Sequence, residues 1–155
     1  MISTVAVGTD GSPTAEEAVK QAADLARRYG AKLVLLSAFP GSKSSPAAIA
    51  GSPFPGSRGS PAAIAGIELQ WASSSQARVR TILERSETAL RQEGIECETR
   101  SDEGDPADVL VRLAEECGAD LLVIGNKGMK RRVLGSVPNT VTHKATCSVM
   151  VVKTT

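Results

Sequence analysis

From Leu121 to Gly128 the chain reads Leu-Leu-Val-Ile-Gly-Asn-Lys-Gly. Four apolar residues without polar alternation are typical of a parallel strand that is covered on both faces. The glycines that follow let the backbone adopt a positive φ and approach a ligand closely. Gly135 and Ser136 then open a predicted helix, which Ser136 can cap. The first N–H groups of this helix, its dipole and the glycines together predict a phosphate-binding site.

Strand and helix patterns alternate along the rest of the chain. Strands are predicted at 4–8, 33–39, 95–100 and 148–152, and helices at 13–29, from about 70 to 92, at 106–117 and at 136–144. This order is typical of an α/β fold, with an open parallel five-stranded sheet, right-handed crossovers and helices on both faces. Apolar and polar residues alternate only in 95–100, which indicates a half-exposed strand at a sheet edge.

Composition limits the function classes. A chain of 155 residues with 41% hydrophobic and 23% charged residues fits one globular domain spanning 1–155. The net charge of +1 predicts no affinity for nucleic acid, and no apolar run is long enough to cross a membrane. The first residues lack the pattern of a signal peptide, so we expect a cytoplasmic protein. Three separated cysteines and one histidine predict no metal site.

One segment interrupts the alternation of strands and helices. Residues 40–66 are rich in Gly, Ser, Pro and Ala, and the heptapeptide at 45–51 recurs at 60–66. So few large apolar residues predict a mobile insertion. The alternative is a lid over a ligand, with Phe54 or Ile64 as its apolar contact.

Two strand exits carry the loop chemistry of a binding site. Gly8, Thr9 and Asp10 follow the first strand, and the glycine loop at 125–128 follows the fourth. In open parallel sheets, ligands bind at the carboxyl ends of the strands where the strand order reverses. If strands one and four are neighbours, both loops line one crevice. Asp10 then binds a ribose hydroxyl or a metal-bound phosphate, or alternatively closes an Asx turn on Gly11 or Ser12.

Several motifs together resemble the universal stress protein family. The first is Val7-Gly8-Thr9-Asp10-Gly11-Ser12, and the second is Gly104-Asp105-Pro106. The others are the stretch from Ala119 to Gly125, Gly128, Leu134-Gly135-Ser136-Val137, and the run from Cys147 to Val152. The similarity covers nearly the whole chain outside residues 40–70, and the combination is specific where a single motif is not.

The resemblance implies a sheet order of 3-2-1-4-5, a homodimer paired through Ser148 to Val152, and a bound adenine nucleotide. ATP is the first expectation, with cAMP or AMP as alternatives and Mg²⁺ accompanying ATP. In the family, residues matching Ala38 and Ile124 line the adenine pocket, and the glycines with the matching serine hold ribose and phosphates. The predicted binding residues are Gly8, Thr9, Asp10, Ala38, Ile124, Gly125, Asn126, Gly128, Gly135, Ser136 and Val137.

The chain departs from the family's ATP-binding motif in its glycine loop. Six residues separate Gly128 from Gly135, three fewer than in that motif. The loop therefore offers fewer backbone donors, although it carries four cations, which contact phosphate or form a solvated face. These cations are Lys127, Lys130, Arg131 and Arg132.

Three functions stay open at this stage. The first is a nucleotide-binding module in a stress response, the second is a slow ATP hydrolase, and the third is a dimeric interaction protein without nucleotide. No nucleophile–base pair is recognisable, so no catalytic residue is predicted. We also expect Gly125→Val to fill the pocket and to lower affinity more than stability.

Overall fold

The computed structural model describes residues 1–41, 61–126 and 134–153, with side chains described for all of these except 61–73. The elements are β1 (Thr4–Gly8), α1 (Pro13–Tyr29), β2 (Lys32–Phe39), α2 (Pro61–Gln92), β3 (Cys97–Glu103), α3 (Pro106–Glu116), β4 (Leu121–Asn126), α4 (Ser136–Lys144) and β5 (Ser148–Lys153). All strand pairs are parallel, in the order β3-β2-β1-β4-β5. The predicted fold class and strand order are confirmed.

Apolar residues fill both faces of the sheet. In β2, Leu33 and Leu35 belong to one core cluster together with residues of α1 and α2, whereas Val34 and Leu36 belong to a second cluster together with residues of α3 and α4. Side chains of successive strand residues point to opposite faces, so a strand covered on both sides needs an unbroken apolar run. This explains why the central strands show no polar alternation. The alternating segment 95–100 overlaps β3, which begins at Cys97, extends to Glu103 and lies at the sheet edge as predicted.

Local signals set the starts of two helices. Ser12 is the N-cap of α1 and its Oγ accepts a hydrogen bond from Ala15 N at 3.2 Å. Asp105 is the N-cap of α3 and accepts from Asp108 N at 3.2 Å. A proline follows each cap at the first helical position, where its missing N–H has no intrahelical partner to lose. Both predicted helix starts are confirmed.

The second copy of the repeated heptapeptide is not a loop. Helix α2 begins at Pro61 rather than near residue 70, so the prediction of a loop to residue 66 is wrong for 61–66. A proline followed by two alanines combines a favourable first helical residue with the strongest helix former, and these local preferences outweigh the low apolar content. The rest of the predicted insertion, including Phe54, lies outside the described residues.

The three cysteines are partly or fully buried. Cys97 is buried, and Cys117 and Cys147 are half-buried. Burial raises the pKa of all three thiols, as expected for cysteines that serve as small hydrophobic residues. In the described part of the chain, no helix is long and apolar enough to span a membrane.

At the amino-terminal ends of β1 and β4, one carboxylate connects the two strands. Asp120 Oδ2 accepts hydrogen bonds from the backbone N–H groups of Ser3, at 2.8 Å, and Thr4, at 3.0 Å. These two bonds lower the pKa of Asp120 below its ordinary value of 3.8. The carboxylate thus stabilises the fold in its charged form.

We expect Asp120→Ala to lower the free energy of unfolding at pH 7. A carboxyl with a lowered folded pKa contributes its full stabilisation above the unfolded value and loses it as pH falls through the folded value. The difference between wild type and variant should therefore shrink below about pH 4 and disappear in stronger acid. Urea unfolding between pH 7 and pH 2 measures this. Asp120→Asn keeps an acceptor that does not titrate and serves as the control; a wild-type advantage that grows in acid would contradict the assignment.

A second close contact joins β4 to α1 at the other end of the sheet. A Cβ atom placed on Gly125 would lie 2.9 Å from both Cγ2 and the carbonyl oxygen of Thr14. Real Cβ contacts are longer, and a backbone carbonyl in a packed helix cannot move aside cheaply. The earlier expectation for Gly125→Val therefore changes, because any side chain here disturbs the fold before it fills the pocket.

We predict that Gly125→Ala lowers the free energy of unfolding by about 1–3 kcal/mol through overpacking. The matched control is Gly41→Ala, because a Cβ at Gly41 would meet its nearest neighbour, Glu103, at an ordinary 3.6 Å. Denaturant unfolding followed by circular dichroism compares the two variants. Equal stability of both variants and wild type would show that α1 shifts freely at this point.

Candidate functional site

The two predicted loops meet at one edge of the sheet. Strands β1 and β4 are neighbours, with Val5 opposite Leu121 and Val7 opposite Val123. Their carboxyl ends open into a cleft of about 350 Å³, which the ends of β2 and the first turns of α1, α3 and α4 complete. The predicted adjacency of the first and fourth strands is confirmed.

The cleft collects every predicted binding residue that the structure describes. These are Gly8, Thr9, Asp10, Ala38, Ile124, Gly125, Asn126, Gly135, Ser136 and Val137. Gly128 and the four cations at 127–132 lie outside the described residues. Their roles stay predictions, as do the binding roles of the ten residues around the cleft.

Seven further residues line the cleft and were not predicted as site residues: Ser12, Thr14, Ala15, Ser37, Pro106, Leu110 and Pro138. Most lie in the first turns of α1, α3 and α4, which approach the strand ends. Ser37 had a local signal because it interrupts the apolar run of β2, and Ser12 and Pro106 belong to the local signals of the helix starts. No local pattern reports that these helices pack around one cleft.

The floor of the cleft is held by hydrogen bonds around Thr9. Thr9 N donates to Leu36 O at 2.8 Å, and Ser37 Oγ donates to Thr9 O at 2.7 Å. Gly11 N donates to Thr9 Oγ1 at 3.2 Å, and Gly11 has a φ of 78°. Thr9 and Ser37 are both buried. The β1–α1 loop is therefore fixed by its own polar groups, with glycine at the one position that requires a positive φ.

Asp10 lies at the rim of the cleft with an exposed side chain. Its Oδ1 accepts a hydrogen bond from Ser12 N at 2.9 Å. This is the Asx turn given above as the alternative for Asp10, and the structure contains it. The turn orients the carboxylate beside the first turn of α1 without removing it from solvent.

The backbone of Ala38 presents a donor and an acceptor to the cleft. In a parallel strand, the N–H and C=O of successive residues face alternate neighbours. Leu36 O accepts from Thr9 on the β1 side, and Phe39 O accepts from Gly104 on the β3 side. The N–H and C=O of Ala38 therefore face the β1 side. Because β1 ends at Gly8, opposite Leu36, these two groups lie beyond the end of β1.

Apolar side chains flank this backbone edge. Leu110 from α3, Ile124 from β4 and Val137 from α4 line the same cleft as Ala38. Leu110 and Ile124 are buried, whereas Ala38 and Val137 are half-buried. A flat apolar group in contact with these side chains can reach the Ala38 N–H and C=O with its polar edge.

The start of α4 differs from the prediction for Ser136. Gly135, not Ser136, is the N-cap, and no side chain caps the helix. Instead, Gly135 N donates to Asn126 Oδ1 at 3.0 Å. Ser136 is thereby the first helical residue, so the predicted capping role is wrong. The cause is a buried side chain nine positions earlier in the chain, which a local cap rule cannot include.

The described lining of the cleft combines one charged side chain with helix N-termini. Among the described lining residues Asp10 is the one charged side chain. The positive ends of the α1 and α4 dipoles face the cleft and favour an anion there. No cluster of three His, Cys, Asp or Glu side chains that could hold a metal ion occurs in the described parts of the chain.

Comparisons with known proteins agree with this architecture. A model of the universal stress protein family matches residues 1–153. Universal stress protein Rv1636 of Mycobacterium tuberculosis is 35% identical over 157 aligned positions, which cover 98% of this chain and 97% of that protein. The match therefore extends over both chains almost completely.

Solved structures show the same fold. A universal stress protein in complex with cAMP has a TM-score of 0.69 and 32% identity, covering 99% of this chain and 98% of the other. The universal stress protein of Archaeoglobus fulgidus in complex with dAMP has a TM-score of 0.60 and 26% identity, covering 97% and 98%. The sheet order, the cleft and the family match over residues 1–153 lead to one conclusion: the chain belongs to the universal stress protein family.

Proposed function

We propose that the protein is a binding module for an adenine nucleotide, which occupies the cleft at the carboxyl ends of β1 and β4. The observation that carries the proposal is that two features line the same cleft. One is the backbone edge of Ala38 between apolar side chains, and the other is the N-terminus of α4. The first suits a purine base and the second suits a phosphate.

The base is recognised by the backbone of Ala38, whose N–H and C=O face the β1 side because these groups alternate in direction along β2. Adenine carries an acceptor at N1 beside a donor at N6. The Ala38 N–H donates to N1, and the Ala38 C=O accepts from the N6 amino group. Guanine and hypoxanthine carry a donor at N1 and an acceptor at O6, so the same backbone edge repels them.

The phosphate lies at the first turn of α4. The N–H groups of Ser136 and Val137 have no partner within the helix, and Pro138 at the third position has no N–H. Two donors suit one phosphate group. The further phosphates of ATP, our first expectation from the sequence, require contacts from residues 127–133, which include the predicted cations.

Asp10 completes the proposed site at the ribose. Its carboxylate is oriented by Ser12 N, and the residue lines the same cleft as Ala38 and Ser136. With ATP it also provides a carboxylate oxygen toward Mg²⁺ held by the phosphates.

We do not extend the proposal to ATP hydrolysis, because the described lining residues offer no histidine or lysine to assist proton transfer or to stabilise charge.

Two similar proteins support the ligand class. The structures that contain cAMP and dAMP are 32% and 26% identical to this chain. Both ligands carry an adenine base and a single phosphate group. This matches the two-donor start of α4.

The base proposal is tested with AMP and IMP, which differ only at the N1–C6 edge. We expect AMP to bind at least tenfold more tightly than IMP, because one mismatched buried hydrogen-bonding group costs about 1–3 kcal/mol. Isothermal titration calorimetry gives both dissociation constants, and ATP and cAMP are titrated in the same series. Equal binding of AMP and IMP would reject recognition by Ala38, and no binding of any nucleotide would favour the interaction protein without nucleotide.

We also propose that the protein forms a homodimer through β5. This strand is the edge of the sheet beyond β4, and Val149, Met150 and Val151 remain half-buried in the single chain. An apolar edge strand with unpaired backbone groups invites pairing with a second copy. The pairing covers the edge and completes the burial of these side chains.

Light scattering should give a mass near twice 16.1 kDa for wild type at micromolar concentration. Met150→Lys should shift it to the monomer, since a lysine on an edge strand opposes pairing while its stem still covers apolar surface. The control is Tyr29→Lys, which removes an exposed large apolar side chain at the end of α1 and should leave the dimer intact. A monomeric wild type would exclude the β5 interface.

A further inference from the structure

Asn126 is a polar residue in an apolar setting. It ends β4 after four buried apolar residues, and its side chain is completely inaccessible to solvent. A polar side chain in such a position requires hydrogen bonds, because its desolvation is otherwise uncompensated. Its Oδ1 lies 3.0 Å from Gly135 N. The amide thus joins the end of β4 to the residue that begins α4.

This contact is specific to the two residues involved. A Cβ on Gly135 would stand 3.1 Å from Asn126 Oδ1, which is tighter than most real Cβ contacts. Glycine at 135 therefore allows the amide to approach. The bond also fixes the distance between Asn126 and Gly135.

The same bond determines which donors of the helix remain for a ligand. Gly135 N is occupied by Asn126, and Pro138 has no N–H. The N–H groups of Ser136 and Val137 are left, and both residues line the cleft. The direction of these two N–H groups depends on where α4 begins, and the hydrogen bond to Asn126 holds its N-cap, Gly135.

We infer that Asn126 is a positioning residue for the phosphate of the nucleotide: it holds the start of α4 so that the Ser136 and Val137 N–H groups face the cleft. The inference rests on the proposed function, and it replaces direct contact with the ligand, which was predicted for Asn126 from the sequence. Asn126 belongs to the lining of the cleft, but its side chain is completely inaccessible to solvent and is bonded to Gly135 N, so it acts through the helix that it anchors.

The test compares AMP with adenosine, which lacks the phosphate, in wild type and in Asn126→Leu. Leucine has the same branching and number of side-chain heavy atoms but cannot accept a hydrogen bond. We expect AMP affinity to fall roughly tenfold, the equivalent of about one hydrogen bond to a charged group. Adenosine affinity should change less than about twofold, because the base is held by β2. Calorimetry gives both values at a temperature where each variant is folded.

A matched control separates positioning from general destabilisation. Ile95 is buried before β3, at the opposite end of the sheet from the cleft. Ile95→Val lowers stability without touching the α4 start, so its ratio of AMP to adenosine affinity should equal that of wild type. A parallel fall of AMP and adenosine affinity in Asn126→Leu, or an unchanged AMP affinity, would overturn the inference.

Amide hydrogen exchange distinguishes this inference from the proposed function. Without ligand, the Gly135 N–H should exchange slowly in wild type and at least tenfold faster in Asn126→Leu. If wild type binds neither AMP nor adenosine, the proposed function fails and so does the phosphate role, while the exchange difference still shows that Asn126 anchors α4. Equal exchange rates in both proteins would refute the anchoring itself.

Discussion

The parallel pairing of β1 with β4 is the interaction on which the site depends. It joins the first strand of the chain to the fourth through only three register pairs, from Val5–Leu121 to Val7–Val123. Both strands are covered on both faces. A shift of one residue would exchange the apolar sets that face α1 and α3, so the register is strongly specified. This register brings the carboxyl ends of β1 and β4, and with them Asp10 and Gly125, to the same edge of the sheet.

Once the strand ends are aligned, backbone groups become the principal chemistry of the cleft. Ala38 contributes its N–H and C=O because β2 extends past the end of β1, and α4 contributes N–H groups because its first turn faces the strand ends. Glycines occur where backbone segments approach each other, as at Gly125 against Thr14. Side chains mostly hold these groups in place. Two examples are the hydrogen bond of Ser37 with Thr9, which is buried, and that of Asn126 with Gly135, which is partly buried.

Much of this arrangement was predictable from local sequence patterns. Unbroken apolar runs identified the covered strands, alternation identified the edge strand β3, and Ser12 and Asp105 with their following prolines identified two helix starts. These signals are local because they depend on the periodicity of side chains and on hydrogen bonds within three residues. The ten predicted site residues that the structure describes lie at the carboxyl ends of β1, β2 and β4, directly after β1, or at the start of α4. Ala38 and Ile124 among them were predicted from the resemblance to the universal stress protein family and not from a local pattern.

Two of the failures share a different cause, which is contact between distant residues. The cap of α4 was assigned to Ser136 by a local rule, but the amide of Asn126 occupies Gly135 N and moves the N-cap back by one position. The consequence of Gly125 for stability depends on Thr14, which lies in a helix at the other end of the chain. The early start of α2 at Pro61 was hidden by composition, since alanines contribute to helix formation without the apolar bulk that marks a core face.

The hydrogen bond between Asn126 and Gly135 explains how the glycine loop can be shorter than in the family's ATP-binding motif. A loop closed at both ends by one hydrogen bond can lose residues without moving the strand or the helix that it connects, because the anchor and not the loop length sets their separation. The base edge at Ala38 and the two donors of α4 lie outside this loop, so on this argument the proposed adenine site and the first phosphate are independent of the shortening. The role of residues 127–133 toward further phosphates stays a prediction.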